Sequence, residues 1–230
     1  MVTKPAGRHR TRRFILRQPR AAAEVAAAAQ LQGWTYVREV PGGEGRMPYV
    51  VLDSGWPGIS VLYFEHDAGL CGIVADSVLG PEALGTIATA VQGVLVPWML
   101  TELLEEIDNG PDRPFALQRA GLGAPGQADP AFLARFSAAA GDAEPDVRVA
   151  SMLAMADTGW PECVPVLEQA ARTDGDPAMR ELATKAAELL SATRPEGGAV
   201  TVDVPDLFPG GAAHLHAIAM RELAQVIGDS

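Results

Sequence analysis

Asp142-Ala143-Glu144-Pro145-Asp146-Val147-Arg148 returns 32 residues later as Asp174-Gly175-Asp176-Pro177-Ala178-Met179-Arg180. Asp206 and Pro209 repeat the Asp-x-x-Pro frame 32 residues further on. A period of this size marks stacked helical hairpins, because one hairpin cannot bury its apolar face without a neighbour. Glu144 and Asp176 each stand before a proline, the expected pairing of a helix N-cap with proline at the first helical position. After Pro177, Met179, Leu182, Ala183, Ala186, Leu189 and Leu190 form one apolar stripe at helical spacing. Val147, Ala150 and Ala154, with Met152, Leu153 and Met155, make a broader stripe, which fits a helix packed on two sides. Between the copies, Trp160-Pro161-Glu162 opens a shorter helix carrying Val164, Leu167 and Ala171.

The first half of the chain has a different period. Pro19 suits the start of a helix over Ala21–Gln32, which Gly33 would close. Trp34–Val40, Tyr49–Asp53, Ile59–Glu65 and Leu70–Asp76 are rich in β-branched and aromatic residues and read as strands. The turns between them are short: Gly42-Gly43-Glu44-Gly45, then Ser54-Gly55-Trp56-Pro57-Gly58, then His66-Asp67-Ala68-Gly69. Loops of that length join antiparallel neighbours, since parallel crossovers need a dozen residues or more. Pro81 would begin a long helix reaching Asp108, broken or kinked at Pro97. The expected fold is therefore α+β, with a four-stranded antiparallel sheet flanked by helices and then a short helical repeat array. The expected organisation is a basic flexible arm over residues 1–18, an α+β domain over 19–110, and helical repeats with an atypical C-terminal cap over 111–230.

The Asp-x-[Glu/Asp]-Pro-x-Val/Met-Arg frame followed by small apolar residues resembles the HEAT-like repeat, including its phycobilisome-lyase-type variant. The likeness covers roughly residues 112–190, as two good copies and a degenerate one at Pro114–Gly141. It implies that Asp142, Arg148, Asp174 and Arg180 are structural positions near the inter-helix turns, pairing between neighbouring repeats. After Leu190 the pattern changes: Val200–Val204 is extended, and Ala212–Ile227 would be a final helix. Val200–Val204 either belongs to an atypical terminal cap or pairs with an edge of the N-terminal sheet. The order helix, four strands, helix in the first domain is similar to the type III secretion chaperone-like α+β group, which would imply a dimeric, partner-binding domain.

Charge divides the chain unevenly. Residues 1–20 hold seven basic residues (Lys4, Arg8, Arg10, Arg12, Arg13, Arg17, Arg20) and no acid. The remainder has 11 basic against 29 acidic residues, a net of −18. Such a body repels nucleic acid and anionic membrane, so either could be reached only through the arm. The opposite expectation is that the arm lies on its own acidic body or stays solvated. Thr11-Arg12-Arg13-Phe14-Ile15-Leu16-Arg17 resembles a twin-arginine export signal, but Gln18, Pro19, Arg20 and Glu24 interrupt the apolar stretch it needs. Ala83–Thr101 holds 19 residues without a charge. Its acidic flanks, Gln92 and Pro97 point to a buried core helix rather than a membrane span. The expected location is cytoplasmic, and the alanine-, glycine- and arginine-rich usage resembles that of GC-rich bacterial genomes.

Chemistry is sparse in the sequence. Cys71 and Cys163 stand alone in apolar surroundings and read as reduced, buried thiols. His214-x-His216 would put its rings about 200° apart on a helix, the wrong spacing for one metal. Gly42-Gly43-Glu44-Gly45 lacks the lysine of a P-loop, and Gly121-x-Gly123-x-x-Gly126 fits a dinucleotide pattern but follows no strand. Glu102, Glu105 and Glu106 read as a solvated helix end, and His66-Asp67 as turn chemistry. No catalytic, cofactor or metal residue is expected. The expected function is non-enzymatic binding of a protein or peptide with a basic segment, as an adaptor, chaperone-like or regulatory factor, with a homodimer left open. Arg12, Arg13 and Arg17 of the arm and Trp160, if exposed, are the candidate contacts. The alternatives are an enzyme of unrecognised type with a site between two domains, or tethering to nucleic acid or membrane through the arm.

Overall fold

The structure, a computed structural model, describes residues 8–19, 21–42, 47–192 and 200–202. These fall into two units, one of Met1–Met99 with Gly197–Ser230 and one of Leu100–Glu196. The Gly43–Gly45 part of the first turn, Asp206, Pro209, the helix expected at Ala212–Ile227 and the His214/His216 pair lie outside the described residues.

The first unit is built on a sheet. Its strands are β1 (His9–Thr11), β2 (Phe14–Ile15), β3 (Thr35–Val40), β4 (Tyr49–Asp53), β5 (Ile59–Glu65), β6 (Cys71–Ser77) and β7 (Val200–Val202), ordered β3-β4-β5-β6-β1-β7, with β2 also on β6. The sheet has six antiparallel strands, β1 to β6, rather than the expected four. The additional two come from residues assigned to a flexible arm. Their charge suggested solvation, but Thr11, Phe14, Ile15 and Leu16 are all buried. The neighbouring charges are met by Asp76 of β6, only 2% exposed, which accepts from Arg8 Nε at 3.0 Å and Arg10 Nε at 2.6 Å. β7 adds to β1 in parallel, with His9 opposite Val200 and Thr11 opposite Val202. Of the two roles left open for Val200–Val204, the described part takes the sheet-edge one.

Two bulges interrupt the ladders. Arg10 stands opposite Asp76 and Phe14 opposite Ile73, so residues 11–13 face only residues 75 and 74. The added residue falls at Arg12-Arg13, and the Thr11 hydroxyl takes the Ala75 N–H at 3.0 Å. In β3, Tyr36 faces Leu52 and Arg38 faces Val51, leaving Val37 without an opposite number. A bulge re-aims side chains and strengthens the local twist.

One face of the sheet is covered by α1 (Ala22–Gln32) and α2 (Leu84–Leu95). Phe14, Leu52, Val61, Tyr63, Cys71, Ile73 and Ala75 of the sheet share a core with Val25 and Ala28 of α1 and Leu84, Ile87, Val91 and Leu95 of α2. Each such aliphatic or aromatic side chain contributes about 1.5–3 kcal/mol when fully removed from water. Gly33 ends α1 in the left-handed region (φ 70°), the conformation glycine adopts without strain. The long helix expected from Pro81 to Asp108 is two helices. Val96, with φ 43°, ends α2 ahead of Pro97, and α3 (Leu100–Asn109) begins the second unit. No single helix among the described residues is long and apolar enough to cross a membrane.

The second unit is helical: α3, α4 (Arg113–Gly123), α5 (Pro130–Ala140), α6 (Pro145–Thr158), a 3-10 turn at Pro161–Cys163, α7 (Val164–Thr173) and α8 (Pro177–Ala192). The helices pair as α3/α4, α5/α6 and α7/α8, and α4, α6 and α8 pack in succession. The first hairpin thus spans Leu100–Gly123 rather than Pro114–Gly141. Caps set the helix starts. Asp112 accepts from Phe115 N–H, Asp129 from Ala131 and Phe132 N–H, and Asp176 from Ala178 N–H. Glu144 occupies the cap position of α6, but its side chain makes no cap bond; Asp142 instead accepts the Glu144 N–H at 3.0 Å.

Candidate binding cleft

The expected contact residues are engaged in the fold. Arg12, 2% exposed, lies with its guanidinium 4.7 Å from the centre of the Phe14 ring and donates to the carbonyls of Arg13 and Trp98. Arg13 is half-buried on the same bulge. Arg17 stacks 4.7 Å over Trp98 and donates to Val96 O at 3.2 Å, while Trp98 N–H donates to Ile15 O at 2.8 Å. The two arginines therefore hold the carbonyls that follow α2, a use of cations at a helix C-terminus. Trp160 is buried: its indole N–H donates to Pro125 O at 3.1 Å, and Phe132 and Phe136 pack against its ring.

The repeat positions form a ladder at the hairpin turns. Asp174 accepts from Arg148 Nε at 2.9 Å and from Asp176 N–H at 2.9 Å. Arg148 also donates to the carbonyls of Asp142 and Ala143, and Arg180 donates to Asp174 O at 2.7 Å. Arg113 pairs with Asp142. Backbone N–H groups and then arginine hold Asp142 and Asp174 below the usual carboxylate range. Gly121, part of the dinucleotide-like pattern, is a packing glycine: a Cβ there would lie 2.6 Å from the backbone oxygen of Ala154 in α6.

An open cleft of about 510 Å³ lies on the sheet unit. The register explains its composition. Glu39 faces Val50, and Val50 faces Tyr63, so these three share one face in a row across β3, β4 and β5. Glu65 lies two residues beyond Tyr63 and therefore on the same face. Ala22, at the start of α1, lines the cleft with them, and Pro41, Pro48 and Tyr49 supply apolar wall. Tyr63 is 5% exposed, and its hydroxyl donates to Glu65 Oε1 at 2.7 Å. Burial first, and the Glu65 carboxylate second, push the Tyr63 hydroxyl well above its ordinary range. It stays protonated and acts as a fixed donor that orients Glu65. Neither Glu39 nor Glu65 forms an ion pair with a described residue, and the cleft presents both carboxylates beside apolar surface.

Cys71, behind Tyr63, is fully buried and donates its thiol to Gln18 O at 3.1 Å. Burial raises the Cys163 thiol above its ordinary value, which leaves it un-ionised at neutral pH. Sequence reading passed over Glu39, Tyr63 and Glu65. The available signal was the i, i+2 spacing of Tyr63 and Glu65 within a strand; Glu39 joins them only through strand register. Compared with family models, with curated proteins and with solved structures, the chain matches none of them.

Proposed function

We propose that the protein is a non-enzymatic module that binds another protein or peptide, and that binding is carried by the sheet unit. The observation behind this is the apolar surface around Trp56. Trp56 is 54% exposed, Leu79 66% and Val78 43%. Val78 and Leu79 lie beside the turn that carries Trp56: Val78 N–H donates to Gly58 O at 3.0 Å, and a Cβ on Gly58 would meet the side chains of Val78 and Leu79. Leu31, Tyr36 and Val37 are exposed in the same unit. Tryptophan is enriched at binding hot spots, and contiguous exposed apolar surface marks interaction sites, whereas isolated apolar residues elsewhere need no such account. In this reading the helical hairpins are a HEAT-like scaffold, the protein works in the cytoplasm, and a second copy of the chain remains an admissible partner.

The test is capture with immobilised full-length protein beside the Trp56→Ser/Leu79→Ser variant. Both positions are exposed, so the variant should keep its fold and far-UV spectrum. A protein retained at equal stoichiometry by the parent, and lost by the variant, supports the reading. Equal retention by both would move binding off this surface and overturn it.

A further inference from the structure

Resting on the binding function above, we infer that the cleft beneath β3 is a seat for an arginine or lysine side chain, presented by an extended basic segment of the partner lying along that edge strand. β3 ends the sheet, and no described strand pairs with its outer side. Thr35–Glu39 are exposed along their length. The bulge at Val37 twists the first half of the edge away from regular pairing, whereas Arg38, Glu39 and Val40 keep continuous register with Val51, Val50 and Tyr49. The regular half is the half that leads into the cleft.

The cleft chooses the occupant by charge and shape. Its floor is the Glu39–Val50–Tyr63 row, and Glu65 closes it with a carboxylate held by the Tyr63 hydroxyl. Tyrosine uses one oxygen of Glu65; the remaining acceptor capacity faces a volume large enough for a side chain. Val50, Tyr49, Pro41 and Pro48 suit the methylene stem of a long cationic residue, which buries its carbons while its head meets acid. An anion would face two carboxylates, and an uncharged residue would forgo the charge complementarity they offer. The apolar Trp56 surface lies toward the opposite end of β5, roughly 20 Å from the Glu65 end at the rise of an extended strand. An extended segment of about six residues covers that span, so one partner can engage both places.

The probe is acetyl-Val-Arg-Val-amide, titrated into full-length protein and followed by 1H–15N NMR. Saturable shifts should concentrate at Glu39, Val40, Tyr49, Val50 and Tyr63–Glu65. The peptide with citrulline in place of arginine, equal in shape and without the charge, should bind at least about tenfold more weakly. Glu65→Gln should lose a similar factor, and Tyr63→Phe, which keeps the carboxylate but frees it from the hydroxyl, a smaller one. Equal binding of the citrulline peptide, shifts located elsewhere, or no shifts in the millimolar range would each overturn the seat. The Trp56→Ser/Leu79→Ser variant should bind the peptide as the parent does. Failure of the peptide with Trp56-dependent capture intact removes the cleft alone; the converse result removes the apolar surface alone.

Discussion

Glycine has opposite meanings at two helical positions of this chain. Gly121 in α4 has Ala154 of α6 pressed against its Cα, and an added methyl group would meet backbone that cannot step aside. Gly93 in α2 is exposed and has nothing within 4 Å of the place a methyl group would take. Alanine gains about 1 kcal/mol over glycine in a helix interior, and this gain is present at both sites. At Gly121 overpacking costs about 1–3 kcal/mol or more and outweighs it. Gly121→Ala should therefore lower, and Gly93→Ala raise, the free energy of urea unfolding. The sequence shows both residues equally plainly as glycines in helices. Only the crossing of α4 and α6, which pairs residues 33 apart, separates them.

The elements legible in the sequence are those with a strong local signal. β4 and β5 occupy the ranges read for them, β3 and β6 differ by a residue at their ends, and Gly33 closes α1 as expected. What local reading missed is decided between elements. Phe14-Ile15-Leu16 is apolar, but its surrounding arginines look solvated until Asp76 and the carbonyls after α2 are placed beside them. The cleft was hidden for the same reason, because Glu39 and Tyr63 meet only through Val50. The bulge in β3 is equally invisible, and it has its own consequence. An open edge with exposed Tyr36 and Val37 invites edge-to-edge association, which a bulge resists. Deleting Val37 would make the β3–β4 register continuous. The expected outcome is a concentration-dependent rise in molecular mass by light scattering that exceeds the parent's at the same concentrations.

At the scale of the whole molecule, acid should act unevenly. The described carboxylates held below their usual range, Asp108, Asp142, Asp174 and Glu181, all belong to the helical unit. A carboxyl group whose folded value is depressed contributes stability that is fully present above its unfolded value, about 4, and is lost as pH falls through the folded value. Thermal melts should therefore change little through these groups between about pH 7 and pH 4. Below that, the amide NMR cross-peaks of the helical unit should be lost before those of the sheet unit. Simultaneous loss of both signals, or helical loss already complete near neutrality, would contradict this assignment.

The pairing of β7 with β1 also sets a schedule. The chain leaves the sheet unit after Met99 and comes back to it at Val200, which stands beside His9. On a ribosome adding about 5–20 residues per second, His9 emerges about 10–40 s before its partner. The whole helical unit is synthesised in that interval and has local contacts enough to form first. Until Val200 arrives, the outer side of β1 is an unfinished border of a nascent chain. A helper that shields exposed strands during translation would find its natural substrate there, and would have to let go once Val200 has left the ribosome.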